Sequence, residues 1–103
     1  MEFVTRTLRN NADMVEVRYD CACGCKPSAR YQKGTEEAGH EHCCCGRVHF
    51  VGYQASAKMV AYMQQRRQSG EDTRTYTVTA YKVKAPWGEV PVAYGEPDTL
   101  TPH

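Results

Sequence analysis

The sequence predicts a small α+β domain: an antiparallel sheet with one helix on a face, and a cysteine-rich loop region that binds metal. Three observations predict it. Runs of alternating β-branched and aromatic residues lie toward both ends of the chain. A stretch near 56–69 has helical spacing. All six cysteines fall between Cys21 and Cys45.

The element order reads ββ–Cys loop–β–α–ββ. Strands over 3–8 and 14–19 form an opening hairpin with Val15, Val17 and Tyr19 on one face, and Asn10-Asn11-Ala12-Asp13 supplies the turn. Residues 26–42 contain Pro27, Gly34, Gly39 and many charges without a sustained period, and read as irregular. A short strand over 47–52 sets Val48 and Phe50 against His49 and Val51. The helix over 56–69 carries Met59, Val60, Tyr62 and Met63 as its apolar stripe, and Gly70 stops it. Over 73–84, Tyr76, Val78 and Ala80 alternate with Thr77, Thr79, Tyr81 and Val83. After a turn at Ala85-Pro86-Trp87-Gly88, residues 89–94 return with Val90, Val92 and Tyr94 aligned. Pro91 has no amide to donate, which assigns this last strand to a sheet edge. Residues 1–95 read as a single metal-binding domain and 96–103 as a disordered tail.

A chain of 103 residues suits one domain with a modest core. Its 41% hydrophobic content, with seven tyrosines, two phenylalanines and a tryptophan, is enough to build that core and argues against disorder. A net charge of +1 shows neither the basic footprint of a nucleic-acid binder nor a signal for acidic partners. No apolar run is long enough for a membrane span. The first residues lack a basic region followed by an apolar one, so no secretory signal is read and the expected compartment is the cytoplasm, where thiols stay reduced.

The cysteines form two clusters, Cys21-Ala22-Cys23-Gly24-Cys25 and His40-Glu41-His42-Cys43-Cys44-Cys45-Gly46. Disulfides that staple a fold are spread through it, and a bridge between immediate neighbours at 43–45 would be strained, so the pattern points to metal. Zinc holds thiolate sulfurs in a tetrahedron at about 2.3 Å, placing them just under ~4 Å apart. Cysteines two apart on an extended chain stand farther apart than that, so the backbone must bend, and Gly24 and Gly46 are where a bend costs least. Cys21 and Cys23 then offer one chelating pair and Cys43 and Cys45 the other, a closed four-thiolate site. Closing the loop between them costs a few kcal/mol, which zinc–thiolate affinity of ~10 kcal/mol or more offsets. Cys25, Cys44, His40 and His42 are further candidate ligands. The eight donors suffice for two separate tetrahedral ions, or for bridging sulfurs to gather several soft ions such as copper(I) in one cluster. Lys26, Arg30, Lys33 and Arg47 are cations that could offset thiolate charge.

The segment Cys43-Cys44-Cys45-Gly46-Arg47-Val48-His49-Phe50 resembles the C-x-C-G-x-V-x-F motif of the glutathione-dependent formaldehyde-activating enzyme family. The resemblance implies that Cys43 and Cys45 help hold a structural zinc, and that Cys21, Cys23 and Cys25 approximate the cluster that holds a catalytic one. Here that second cluster precedes the motif, and the family's later C-x-x-C is missing.

Three functions fit these residues: a zinc protein with a structural or regulatory, interaction-supporting role; a soft-metal protein that binds or delivers copper or a toxic heavy metal; and a zinc- or thiol-dependent enzyme, for which Cys44, near His42 and Arg47, is the candidate nucleophile. Other features read as packing. His49 belongs to a strand core, Met59 and Met63 to the helix stripe, and Trp87 to a cap on the core. Arg66 and Arg67 complement the helix dipole.

Overall fold

The computed structural model describes residues 2–101, so the last two residues of the expected tail lie outside the described part. The chain folds as α+β. Its elements are β1 (Phe3–Leu8), β2 (Asn11–Tyr19), β3 (Ser28–Gln32), β4 (Gly39–His42), β5 (Val48–Val51), α1 (Ala55–Gln68), β6 (Tyr76–Ala85) and β7 (Gly88–Pro97). The strands make two antiparallel sheets, β1-β2-β3 and β4-β5-β7-β6, rather than the one expected.

The alternating residues explain the layering. Val15 and Val17 of β2 and Ala29 and Tyr31 of β3 face Val51, Val83, Val90 and Val92 of the second sheet, forming a core between the sheets. The other face of the second sheet presents Val48, Phe50 and Ala93 to Ala55 and Met59 of α1. All four residues of β5 are therefore buried, two on each face. Each fully buried Val, Phe or Met side chain contributes about 1.5–3 kcal/mol. His49 points to the first sheet, where its Nε2 bonds the Val17 carbonyl at 3.0 Å. Burial keeps its pKa below the usual histidine value. Trp87 packs at the margin of the inter-sheet core, as a cap would.

Four expectations are corrected. The segment 26–42 is not irregular, since it contains β3 and β4. Their pattern is weak because β3 turns only Ala29 and Tyr31 inward, and β4 is Gly-His-Glu-His. The first turn is shorter than expected, because β2 already begins at Asn11 and a bulge near Leu8 absorbs the register shift. Pro91 does not mark an edge strand, since β7 lies between β5 and β6. The Pro91 carbonyl accepts from Gly52 N–H at 2.9 Å, so its nitrogen faces the same way, past the last β5 pair at Val51–Val92, and no ladder bond is lost. Val60 stands 46% exposed, leaving the helix stripe to Met59, with Tyr62 and Met63 half-buried. At the other end of the chain β7 runs on through Pro97, and the amides of Asp98 and Thr101 bond the carbonyls of Thr75 and Cys45.

This connectivity positions the site. β2, β3, β4 and β5 run up and down in succession, so the β2–β3 and β4–β5 connections emerge at the same end. Between them β3 and β4 approach so closely that a Cβ on Gly39 would lie 1.8 Å from the Arg30 carbonyl oxygen. The two cysteine clusters are the two connections at that shared end.

Candidate metal centre

The clusters fold as two equivalent turns. In the first, Gly24 N–H bonds the Cys21 carbonyl at 2.9 Å and Cys21 N–H bonds the Cys25 carbonyl at 2.9 Å. In the second, Gly46 N–H bonds the Cys43 carbonyl at 2.9 Å and Cys43 N–H bonds the Arg47 carbonyl at 2.7 Å. Gly24 and Gly46 have φ of 98° and 104°, the left-handed position that ends a three-residue hairpin loop. Each Cys-x-Cys-Gly sequence thus makes a bend that an extended chain does not, and both cysteines of each turn face the opposite turn.

The six sulfurs meet there, and none is in a disulfide. Cys21 and Cys45 Sγ are 3.7 Å apart, Cys43 and Cys45 3.3 Å, Cys23 and Cys43 2.9 Å, and Cys25 and Cys44 2.8 Å. The Sγ atoms of Cys21, Cys23, Cys43 and Cys45 all lie within 4.8 Å of one another, and so do those of Cys23, Cys25, Cys43 and Cys44. A zinc tetrahedron spaces its sulfurs by about 3.8 Å. The 3.7 Å pair already fits, and the shorter contacts must open by rotation of side chains. A cluster of this geometry can hold a metal ion.

The first group is the enclosed one. Cys21, Cys43 and Cys45 are buried, whereas Cys23 and Cys25 are half-buried and Cys44 is exposed. Tyr19 and Tyr94 form an aromatic floor under the buried sulfurs, with ring centroids 5.4 Å apart and edge-on, and Phe3 and Tyr81 pack beside them. Burial pushes the Tyr94 phenol up to about 12. Arg47 Nη1 donates to Cys21 Sγ at 3.4 Å and Cys45 Sγ at 3.2 Å, and its other terminal nitrogen lies 3.5 Å from Glu96. Burial opposes ionisation of Cys45, but the Arg47 backbone amide, the neighbouring thiols and the guanidinium outweigh it and bring the thiol down to about 7.

Behind the second turn stands a polar buttress. Arg74 donates to Asp72 through Nε at 3.0 Å and Nη2 at 2.8 Å, and through Nη1 to the Thr99 carbonyl at 2.8 Å and Thr101 Oγ1 at 3.2 Å. Tyr76 bonds Asp72 and the Gly46 carbonyl, and Thr101 N–H bonds the Cys45 carbonyl at 2.8 Å. The Arg74 guanidinium beside it holds the Asp72 carboxyl far below the usual carboxylate range, and the Tyr76 hydrogen bond adds to this against the cost of burial.

All six candidate cysteines are therefore together. His40 and His42 are not with them: among the described residues, neither four-donor group contains a histidine. His40 stacks on Phe50 at 4.8 Å, and His42 hydrogen-bonds the Tyr62 hydroxyl on the helix side of β4. Of the candidate cations, Arg47 reaches sulfur while Arg30 pairs with Glu16. The exposed Cys44 thiol is pushed up to about 11 chiefly by its hydrogen bond with Cys25, with partial desolvation by the neighbouring groups adding to that effect. Sequence reasoning missed the Tyr19–Tyr94 floor and the Asp72–Arg74–Tyr76 buttress. The latter does leave a trace, three polar residues at alternate positions leading into β6. No protein-family model, no curated protein and no solved structure matches this chain, so the resemblance at Cys43 to Phe50 rests on those eight residues alone.

Proposed function

We propose that this is a zinc-thiolate protein whose enclosed ion is structural, held by Cys21, Cys23, Cys43 and Cys45, and that the fold it secures serves a regulatory or interaction role rather than catalysis. One observation carries the reading: four sulfurs from two equivalent turns, on hairpins of different sheets, face one another within 4.8 Å in a largely buried place. Four protein thiolates complete a tetrahedron and leave no position for a substrate, which is the arrangement of structural zinc sites. An ion with four thiolates carries a formal charge of −2, and the Arg47 guanidinium on Cys21 and Cys45 offsets part of it. Closed tetrahedral coordination by four soft thiolates suits zinc, a borderline-soft ion with no geometric demand of its own, among abundant divalent ions.

The test is elemental analysis of protein purified without added metal, with thermal unfolding before and after chelation. Structural zinc contributes on the order of 10 kcal/mol, comparable to the whole stability of a domain this size, so its removal should abolish the cooperative transition. Cys21→Ser and Cys45→Ser should behave like the chelated protein. A metal-free protein with an unchanged transition overturns the proposal, as does zinc that can be stripped without altering it.

A further inference from the structure

We propose that a second thiophilic d10 ion, zinc or a softer one, binds at an outer position formed by Cys23, Cys25, Cys43 and Cys44, and that this outer ion exchanges while the enclosed one stays. The inference rests on the zinc-thiolate reading of the inner site, because the two sites share Cys23 and Cys43 as bridging sulfurs.

The argument comes from comparing the two turns. Their hydrogen bonds match Cys21 with Cys43, Cys23 with Cys45 and Gly24 with Gly46. Exchanging the turns carries the Cys21–Cys45 contact onto the Cys43–Cys23 contact, so the inner four sulfurs form two equivalent pairs. The turns differ at the two remaining positions, where Ala22 matches Cys44 and Cys25 matches Arg47. On the Cys21–Cys45 pair, the guanidinium of Arg47 supplies positive charge directly, at 3.4 and 3.2 Å. On the Cys23–Cys43 pair the same position is held by Cys25, and Cys44 joins it at 2.8 Å in place of an alanine. One side of the inner site thus carries its own cation. The other side carries two more sulfurs, which add negative charge once ionised and complete a second set of four donors around a metal-sized space. Two divalent ions with six thiolates have the same formal charge of −2 as one ion with four, so filling the outer position adds no charge to the site.

Access separates the two positions. The outer one opens onto a cleft of about 490 Å³ lined by Lys26, Ser28, Glu41 and His42 along with Cys25 and Cys44. Cys44 is exposed and Cys25 half-buried, while the inner terminal ligands Cys21 and Cys45 are buried beside the aromatic floor. Transfer of a thiolate-bound ion requires an incoming ligand to reach the metal while a sulfur leaves. Only the outer terminal pair is placed for that.

The test uses cadmium as a spectroscopic probe in the full chain, with native mass spectrometry for stoichiometry. The wild type should bind two ions, with scalar coupling between two 113Cd resonances through the shared sulfurs. A Cys25→Ser/Cys44→Ser variant should keep its fold, bind one ion and lose the coupling. In the wild type a chelator should remove one ion at least tenfold faster than the other, and the variant should lack the fast phase. One ion in the wild type, two ions without coupling, or two ions retained by the variant each overturns the outer site. Loss of a single bound ion in Cys21→Ser/Cys45→Ser, with none lost from Cys25→Ser/Cys44→Ser, overturns the outer site and leaves the inner one standing. A wild type that binds no ion defeats both.

Discussion

Gly24 and Gly46 occupy equivalent positions in the two turns, so replacing each by alanine is a controlled comparison. Both have positive φ, 98° and 104°, and alanine in the left-handed region costs about 1–2 kcal/mol in either turn. At Gly24 nothing lies within 4 Å of the added Cβ. At Gly46 the Cβ would lie 2.7 Å from Arg74 Nη1, 3.0 Å from Nη2 and 3.2 Å from Cζ. That guanidinium has no free direction of retreat, since it is bonded to Asp72, the Thr99 carbonyl and Thr101. Breaking one charge-assisted bond there adds about 1.5–3 kcal/mol. Gly46→Ala should therefore lose roughly 2 kcal/mol more than Gly24→Ala, a gap in unfolding midpoint of roughly 8–16 °C. The assay is thermal and urea unfolding of both metal-loaded variants. In an Arg74→Met background the excess cost of Gly46→Ala should vanish, leaving only the backbone contribution. Equal losses in the two turns, or an excess that survives without Arg74, would refute the buttress.

Two further outcomes follow from the fold. Gly52→Ala should destabilise by about 2–4 kcal/mol, because Gly52 has φ of 124° and its Cβ would lie 2.2 Å from the Tyr31 ring between the sheets; urea unfolding checks this, and a loss under 1 kcal/mol contradicts the packing. His49 is buried and its pKa lowered, so the unfolded chain takes up a proton below about 6.5 that the folded chain resists. Stability is fully present above that pH and falls as pH drops through it, by up to about 1.4 kcal/mol per unit for one group. Unfolding of wild type and His49→Gln compared between pH 7 and 5.5 isolates this contribution, which should be missing in the variant.

The legible parts of the chain are those where side-chain alternation coincides with burial. Val15, Val17 and Tyr19 are aligned in the sequence and fully buried in β2, and Val90, Val92 and Tyr94 behave likewise in β7. β3 and β4 escaped because only Ala29 and Tyr31 among their nine residues are buried apolar side chains. Without those two strands the sequence offers no way to divide the sheet in two, and the edge expected from Pro91 follows a rule that concerns the missing amide rather than the strand's position. Which way the amide points depends on where β5 ends, a tertiary fact. The convergence of the two cysteine pairs is legible because Cys-x-Cys-Gly occurs twice, and glycine bends the chain the same way each time. His40 and His42 also stand close to cysteines in sequence, yet strand geometry turns them to the helix side of β4, where Phe50 and Tyr62 receive them. Proximity in sequence selects a ligand only when the intervening backbone curls, and β4 is extended up to Cys43.

The place of the candidate metal site follows from what the hydrophobic core leaves undone. The inter-sheet core is built mainly from valines, whose burial supports a domain of this size only modestly. At one end the sheets are held by the β3–β4 approach, which allows no side chain at Gly39. At the other end the valines give way to Tyr19, Tyr94 and the sulfurs, and the two hairpins there belong to different sheets with no ladder between them. An ion gripped by a pair of thiolates from each hairpin, as proposed above, would supply the missing link. The same economy accounts for Arg47: it lies at the first residue after the second turn, its guanidinium reaches one hairpin's Cys21 and its own Cys45 together, and it pairs with Glu96 at the end of β7. Three chain segments thus converge on one face of the site through a single side chain, while Cys25 and the exposed Cys44 stand on the opposite face.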